Sequence, residues 1–171
     1  MEFNIRSEEP KDIEQVRGIL HAAFPTDAES KLVDALRANK KAIISLVAVQ
    51  GEDVLGHILF SPVSITPTRR ATPPANGIGL APVAVRPGLQ SQGIGSRLIR
   101  QGLHLSEELG FDYCVVLGNP KYYQRFGFAW ASTFGAQNEY GVDEEFMLMR
   151  FTNCEVAGLV CYVAEFAVLS V

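Results

Sequence analysis

The sequence predicts an α/β protein in which a mixed, mostly antiparallel sheet contains one parallel strand–helix–strand unit. Apolar strands at residues 80–85 and 111–117 flank an amphipathic helix over about residues 92–109, which together form that unit. A helix between two such strands implies a parallel, right-handed crossover. Strand-like segments before and after the unit predict antiparallel neighbours, and about four helices are expected in all.

A pair of helices is predicted near the start of the chain, after a short strand at residues 3–6. Pro10 suits the first turn of a helix, where its missing N–H would have no partner, and Pro25 ends the apolar periodicity. Thr26 and Glu29 have the spacing of a capping box, in which each side chain bonds to the backbone of the other residue. This interpretation predicts a second short helix capped by Thr26.

Two β-branched, apolar segments, residues 43–49 and 54–65, predict antiparallel strands joined by a glycine-containing turn. Pro62 has no N–H to offer a neighbouring strand, so it marks a bend or an edge. The Pro-, Thr- and Arg-rich segment that follows predicts an exposed loop. Its Arg69 and Arg70 are either solvated side chains, which is the commoner case, or ligands of a phosphate.

The helix of the parallel unit is predicted to end at Gly110, a left-handed cap, with Phe111 as its hydrophobic contact. A short helix closed by Gly127 and two antiparallel strands, residues 145–152 and 159–166, complete the expected fold. The apolar face of the longer helix is predicted to carry four aliphatic side chains with Ile99 nearby: Ile94, Leu98, Leu105 and Leu109.

The composition predicts a single domain spanning residues 1–171. At 171 residues and 47% hydrophobic, the chain can bury one sizeable core and is short for two. The net charge of −4, without a Lys/Arg stripe, argues against nucleic acid as a partner. No apolar run approaches the ~20 residues that cross a bilayer, so no membrane contact is expected. The sequence leaves both a monomer and a homodimer open.

The cysteines predict a cytoplasmic protein without a metal site. Cys114, Cys154 and Cys161 are widely spaced in apolar surroundings, and no Cys-x-x-Cys pair or His cluster is present. We therefore expect three reduced thiols. The N-terminal residues 1–6 have no apolar core of the kind a signal peptide requires.

The strand at residues 80–85 runs into a glycine-containing loop that leads into the long helix. Glycine lets the backbone approach a ligand closely, and the first turn of a helix offers unpaired N–H groups and the positive end of its macrodipole. These features favour an anion, usually a phosphate, although a turn whose glycines only relieve strain is the alternative. A dinucleotide fingerprint would need Gly or Ala at Leu98, and no Walker loop is present. The candidate anion ligands are Gln90, Ser91, Gln92, Gly93, Ile94, Gly95 and Ser96.

This loop has the pattern Gln-x-x-Gly-x-Gly between a strand and a helix, and it resembles the pyrophosphate loop of the GNAT superfamily of N-acetyltransferases. The strand before it resembles the one whose backbone holds the pantetheine arm, here through Val83, Ala84 and Val85. Tyr123, four residues before Gly127–Phe128, resembles the tyrosine that lies beside the sulfur of CoA in this superfamily. The chain as a whole resembles a bacterial subgroup of predicted acetyltransferases.

The resemblance implies a GNAT-like fold and transfer of an acetyl group from acetyl-CoA, without a metal, to a primary amine by direct attack in a ternary complex. The acceptor would be a small molecule or a peptide N-terminus. A CoA-binding regulatory module without acceptor chemistry is the alternative, and a phosphate-binding domain that takes no CoA is a third. Many GNAT members have a longer helix before this tyrosine, which residues 118–120 shorten here. The role of the corresponding asparagine is therefore transferred to Asn119 only as a secondary cofactor contact.

Tyr123 is predicted to be the general acid that protonates the departing thiolate. A phenol with an unperturbed pKa of ~10 and a thiol at ~8.5 are close enough to share a proton, which is typically worth ~10²–10⁴-fold in rate. A core aromatic residue beside Tyr122 is the alternative. The candidates for the base are His57, more often a hydrogen-bonded core residue, and Glu29, for which the capping bond with Thr26 is the preferred interpretation.

The acceptor is not encoded in a recognisable motif. Variable segments, namely the connection between the first two helices and residues 67–77 and 131–143, are expected to bind it. Trp130, Phe134 and Tyr140 either line an apolar pocket there or cover the sheet, and analogy of fold does not decide between these alternatives.

Overall fold

The computed structural model describes residues 1–68 and 74–169 of the chain. Arg69 and Arg70, the two candidate phosphate ligands, lie outside these residues. The described chain divides into two compact units. The first unit contains residues 1–61, 81–104 and the described residues from 164 onward, and the second contains residues 62–80 and 105–163.

The first unit contains the N-terminal strands and helices of the fold. Two later elements, β4 (Gly77–Val85) and α3 (Ile94–Glu108), have one part in each unit, and a 3₁₀ helix (Ala164–Leu169) ends the described chain. The earlier elements are β1 (Asn4–Ser7), a 3₁₀ turn (Pro10–Asp12), α1 (Ile13–Ala23), α2 (Ala28–Ala38), β2 (Ile44–Gln50) and β3 (Asp53–Pro67), the last of which continues into the second unit.

The second unit contains the remaining short strands and one short helix. Two of these strands, of two and three residues, were not predicted, because segments of this length carry no measurable periodicity. In chain order the elements are β5 (Tyr113–Leu117), α4 (Pro120–Gln124), β6 (Ala129–Trp130), a 3₁₀ helix (Ala131–Phe134), β7 (Ala136–Asn138), β8 (Phe146–Arg150) and β9 (Gly158–Tyr162).

The strands hydrogen-bond in the order β1-β2-β3-β4-β5-β8-β6, with β9 paired to both β3 and β7. The predicted parallel pair is confirmed, because Gly77–Gly79 of β4 align in parallel with Tyr113–Val115 of β5. A second parallel pair, β7 with β9, was not predicted. The pairs β1–β2, β2–β3, β3–β9, β5–β8 and β6–β8 are antiparallel, as expected for a mixed sheet.

Strand β3 changes its partner part-way along. It pairs with β2 as far as Phe60 and with β9 from Val63 onward. Pro62, which has no N–H to donate, lies at the change. One face of β3 packs closely on α3, since a Cβ added at Gly102 would lie 2.1 Å from the ring of Phe60. The helix therefore approaches the strand at a distance that only glycine allows.

The predicted start of the second helix is wrong. The residue that precedes α2 is Asp27, and the Thr26 hydroxyl accepts only the Ala28 N–H, at 3.3 Å. The reciprocal bond between Thr26 and Glu29 does not form. With Asp27 as the residue before α2, Glu29 is the second helical residue, whereas a capping box requires the glutamate at the third. The capping interpretation of Glu29 is thereby removed.

Two further local predictions need correction. Ile94, Leu98 and Ile99 are buried as predicted, together with Leu103. Leu105 is only half-buried, and Leu109 is 59% exposed because α3 ends at Glu108. The C-terminal strand ends at Tyr162, and the residues after it form the 3₁₀ helix. The predicted cap of α3 is confirmed. Gly110 has a φ of +89°, and Phe111 N–H donates to Ser106 O at 3.1 Å.

Candidate active site

The loop between β4 and α3 is shaped by left-handed backbone conformations. Gly88 and Gly93 have φ values of +90° and +87°, and Ser91, although not a glycine, has a φ of +63°. A Cβ added at Gly93 would meet no atom within 4 Å, so conformation and not crowding requires glycine there. A non-glycine residue in this region costs about 1–3 kcal/mol, and within the described residues only Lys40 and Ser91 adopt it.

Gly93 directly precedes α3, and its carbonyl accepts the Arg97 N–H at 3.1 Å. Within the described chain, the amides of Gly93, Ile94 and Gly95 donate no hydrogen bond. Gln90, Ser91, Gln92 and Gly93 are exposed to solvent, and Gly95 and Ser96 are half-buried. Unpaired amides at the positive end of a fifteen-residue helix form a donor set that fits a diphosphate.

The start of this loop is held in place by Arg86, which was not predicted as a functional residue. Its N–H donates to Leu55 O at 2.8 Å, and its guanidinium donates to Val54 O at 2.6 Å. Both contacts join the end of β4 to β3. An arginine directly after an apolar strand was the available signal, but the sequence does not reveal that its partners are backbone carbonyls.

The last part of β4, before the loop, lies outside the β4–β5 ladder, while β4 also hydrogen-bonds to β3 on its other side. That ladder joins only Gly77–Gly79 to β5 and does not reach Val83, Ala84 or Val85. Val83 and Val85 are half-buried, whereas Ala84 is buried. Peptide groups at these positions are of the type that an extended, amide-containing ligand can bind as an additional strand would.

Tyr123 lies in the second unit, near the end of α4, with its ring enclosed by other aromatic side chains. The rings of Tyr122 and Phe128 meet it edge to face, at centroid distances of 5.1 and 5.8 Å. A Cβ added at Gly118 would lie 2.3 Å from the same ring, so the glycine leaves room for it. Tyr123 as a whole is 8% exposed.

The Tyr123 hydroxyl keeps its proton and has no fixed partner. In the described chain it makes no hydrogen bond, and it is not among the side-chain atoms sealed from solvent. Burial raises the pKa of Tyr123 to about 12, with smaller contributions from Tyr122 and Cys114. At neutral pH this residue is therefore a neutral phenol whose tip is free to donate, as a general acid must be.

Asn119 has a structural role in the second unit. Its side-chain oxygen accepts the Lys121 N–H at 2.9 Å, which caps the first turn of α4, and Pro120 occupies the first helical position. The cap uses one lone pair of this oxygen and leaves the amide NH2 group for another contact. Its use as a secondary cofactor contact stays a prediction.

His57 is fully buried in the first unit. Its Nε2 lies 2.8 Å from the Ser45 hydroxyl, which lies 2.7 Å from a Glu8 carboxylate oxygen. Because the single Ser45 proton goes to the carboxylate, Nε2 must carry the imidazole proton and Nδ1 is left without one. Burial lowers the pKa of His57 to about 4, an effect that Glu8 opposes and Arg37 adds to. These features are those of a core histidine whose Nε2 is hydrogen-bonded and whose buried Nδ1 has no partner among the described residues.

Glu29 lies in the first turn of α2, with one carboxylate oxygen, Oε2, buried. That oxygen has no hydrogen-bond partner among the described residues. Its other oxygen is not enclosed in this way. Among the described residues the side chain therefore has neither the capping bond predicted for it nor another hydrogen bond or ion pair.

The three aromatic residues proposed for the acceptor region are dispersed in the second unit. Trp130 donates its indole N–H to Glu144 O at 3.1 Å, and the ring of Phe134 lies under the Arg150 guanidinium, 4.9 Å away. Tyr140 is exposed. A cleft of about 520 Å³ does form in the segment predicted to bind the acceptor, but other residues line it, among them Asn138 and Asp143.

The family of the protein follows from comparison with known sequences and structures. Residues 13–128 match the profile of the Acetyltransferase (GNAT) family. The chain belongs to this family. The matched segment contains both the loop before α3 and Tyr123.

Relatives of nearly the same extent are found in bacteria. The uncharacterized N-acetyltransferase YhbS of Escherichia coli K12 is 34% identical over 167 residues, which is 95% of this chain and 97% of that protein. The crystal structure of E. coli YhbS in complex with CoA matches with a TM-score of 0.88 and 32% identity, over 96% of this chain and 91% of that one. A GNAT acetyltransferase from Brucella melitensis in complex with acetyl-CoA matches with a TM-score of 0.79 and 38% identity, over 96% of this chain and 98% of that one.

Two further properties concern the described residues alone. No three His, Cys, Asp or Glu side chains among residues 1–68 and 74–169 are grouped so that they would hold a metal ion. In the same part of the chain, no helix has the length and apolar character that crossing a membrane requires.

Proposed function

We propose that this GNAT member is an acetyl-CoA-dependent N-acetyltransferase acting on a primary amine, of a small molecule or a peptide N-terminus. The observation that carries the proposal is the group of unpaired amides at Gly93, Ile94 and Gly95, at the start of α3. The complexes of two relatives with CoA or acetyl-CoA, at TM-scores of 0.88 and 0.79, support the same ligand here.

In this proposal the loop from Gln90 to Ser96 binds the diphosphate of the coenzyme through its main chain. The peptide groups of Val83, Ala84 and Val85 bind the pantetheine arm, and their N–H groups polarise the thioester carbonyl. Neither contact depends on a side chain. Specificity for the coenzyme therefore follows from the backbone conformation that the two positive-φ glycines permit.

Tyr123 is proposed to be the general acid of a direct transfer in a ternary complex. The amine first loses one proton to solvent, and its nitrogen then bonds to the carbonyl carbon of the thioester while the carbon–sulfur bond breaks. Tyr123 gives its proton to the leaving thiolate, and the second proton of the amine restores the phenol. The products are the amide, CoA as a thiol and one proton released to solvent.

The base is proposed to be solvent, reached through a chain of water molecules. His57 is fully buried, its Nε2 is bound to Ser45, and the lowered pKa leaves its imidazole a weak base. These observations favour the core interpretation of His57. The three free thiols support a reducing, cytoplasmic setting for what we propose is a single-domain monomer or homodimer.

The coenzyme site is tested by Gly93→Ala with Gly51→Ala as the matched control. Both glycines have left-handed φ values, +87° and +60°, and in both cases an added Cβ meets nothing within 4 Å. Each substitution thus imposes a similar backbone strain of about 1 kcal/mol. We expect Gly93→Ala alone to weaken acetyl-CoA about tenfold or more, by isothermal titration. Equal affinities in the two variants would contradict the loop assignment.

Turnover of an amine distinguishes an acetyltransferase from a CoA-binding regulatory module. Thermal shift with acetyl-CoA, CoA and ATP shows whether the site takes the coenzyme at all, and stabilisation by ATP alone would favour a different phosphate ligand. Release of CoA thiol is then followed with n-butylamine, tyramine, spermidine and a tetrapeptide with a free N-terminus. Coenzyme binding without turnover on any of these amines would favour the regulatory module.

A further inference from the structure

Glu29 occupies a position on α2 where a carboxylate does not serve the fold. Side chains three and four residues apart lie on one helix face, and the residues so related to Glu29 are Leu32 and Val33, both 0% exposed. Leu36 continues the same stripe and is also buried. Glu29 therefore extends the apolar face of α2, a position that an apolar side chain would fill with less cost to stability.

Among the described residues, no cation pairs with the carboxylate to offset that cost. Lys31, the nearest lysine along the helix, lies 3.1 Å from Asp27 and on another face. Within the described residues Glu29 forms no ion pair, and Oε2 is buried without a donor. The first turn of a helix favours a negative charge, but it does not supply the hydrogen bond that this oxygen lacks.

Unpaired acceptors are concentrated on the elements around α2. Glu165 of the C-terminal 3₁₀ helix, which contacts α2, pairs with Lys41 through one oxygen, while its other oxygen is buried without a partner. His57 Nδ1 is a third such acceptor, connected to Arg37 of α2 through Ser45 and Glu8. Glu29 Oε2, Glu165 Oε2 and His57 Nδ1 are thus three buried acceptors that have no donor among the described residues.

We propose that Glu29 is the residue that binds the acceptor amine, and that the acceptor arrives as an alkylammonium ion. The inference rests on the proposed acetyltransferase function and specifies its substrate class. A primary ammonium carries three N–H donors and a positive charge, so it supplies what the half-enclosed carboxylate lacks. Arylamines and alcohols, which are neutral at neutral pH, do not.

The test compares Glu29→Gln and Glu29→Asp with the wild type. Glutamine keeps the size and removes the charge, whereas aspartate keeps the charge. For whichever panel amine the wild type acetylates, we expect Glu29→Gln to raise the KM for the amine about tenfold or more and to leave the KM for acetyl-CoA unchanged. Glu29→Asp should recover part of the loss. Glu107→Gln, on the exposed side of α3, is the matched control and should change neither constant.

A binding measurement separates recognition from turnover. We expect n-butylammonium to raise the Tm of the acetyl-CoA complex of the wild type but not of Glu29→Gln, and n-butanol and aniline to raise neither. We also expect Glu29→Gln to be at least as stable as the wild type, because an unpaired carboxylate is lost.

The outcomes for Glu29 and for the proposed function are distinct. Turnover of alkylamines with the same KM in wild type and Glu29→Gln overturns the inference and leaves the acetyltransferase standing. Turnover of aniline as efficient as that of alkylamines also overturns it. Stabilisation by n-butylammonium that depends on Glu29, without turnover, supports the ammonium site and refutes the enzyme. No stabilisation of the wild type by any amine overturns the inference.

Discussion

Replacing Tyr123 with phenylalanine tests the proposed acid without disturbing the packing around it. The ring contacts with Tyr122 and Phe128 are made by carbon atoms that phenylalanine retains. The hydroxyl makes no hydrogen bond in the described chain, so its removal leaves no buried group unpaired. We therefore expect the free energy of unfolding to change by no more than about 0.5 kcal/mol.

The loss in rate should be large by comparison. A positioned general acid contributes ~10²–10⁴-fold, which corresponds to about 2.7–5.4 kcal/mol of activation free energy at 1.36 kcal/mol per tenfold. We expect Tyr123→Phe to lower kcat at least tenfold and to leave the affinity for acetyl-CoA unchanged. The assay is CoA thiol release under conditions where chemistry limits turnover, with Tyr122→Phe as the control for loss of a neighbouring hydroxyl.

The pH profile gives an independent check of the same role. The acid works while it is protonated, and burial raises the pKa of Tyr123 to about 12. Its contribution should therefore be complete at neutral pH and be lost only as the pH rises toward 12. A decline in kcat below about pH 10 that disappears in Tyr123→Phe would contradict this pKa. Unchanged kcat in Tyr123→Phe would refute the acid itself.

Two predictions concern stability, measured by urea denaturation. Arg37→Met should cost about 3–5 kcal/mol because it leaves Glu8, whose side chain is 7% exposed, without its ion-pair partner, whereas Arg17→Met, at a pair 40% and 39% exposed, should cost no more than about 1 kcal/mol. Equal losses would contradict the burial argument. Gly102→Ala should cost about 1–3 kcal/mol, because the added Cβ would lie 2.1 Å from the Phe60 ring. Phe60→Leu in the same chain should recover part of that loss. Strictly additive changes in the free energy of unfolding would argue against the contact.

The parallel unit and its loop were predictable because their signals are local. Strand, glycine turn and helix follow one another in sequence, and Gly93 and Gly110 adopt the left-handed conformations that their positions demanded. The apolar face of α3 was less predictable. Leu109 fits the helical period, but the helix ends one residue earlier, so the side chain lies in the turn and is exposed.

The environment of Glu29 could not be predicted from the sequence, for a different reason. Thr26 and Asp27 are both good capping residues, and the choice between them shifts the helix start by one position. That shift decides whether Glu29 bonds to the chain or stays unpaired. Similarly, nothing local reveals that the partners of His57 are Ser45 and Glu8, since these residues meet only through strand pairing.

The departure from the longer helix of many GNAT members does not weaken the assignment of Tyr123. Asn119 caps α4 and Pro120 sets its first residue, which fixes the direction of a helix only five residues long. Gly118 adds the decisive constraint, because any Cβ there would lie 2.3 Å from the Tyr123 ring. The same pattern occurs at Tyr113, where a Cβ added at Gly77 would lie 2.2 Å from the ring and the hydroxyl has no partner among the described residues, so the glycine fixes the ring without deciding its role. The shortened segment therefore fixes the position of the Tyr123 ring, and its role as the general acid stays a prediction that Tyr123→Phe tests.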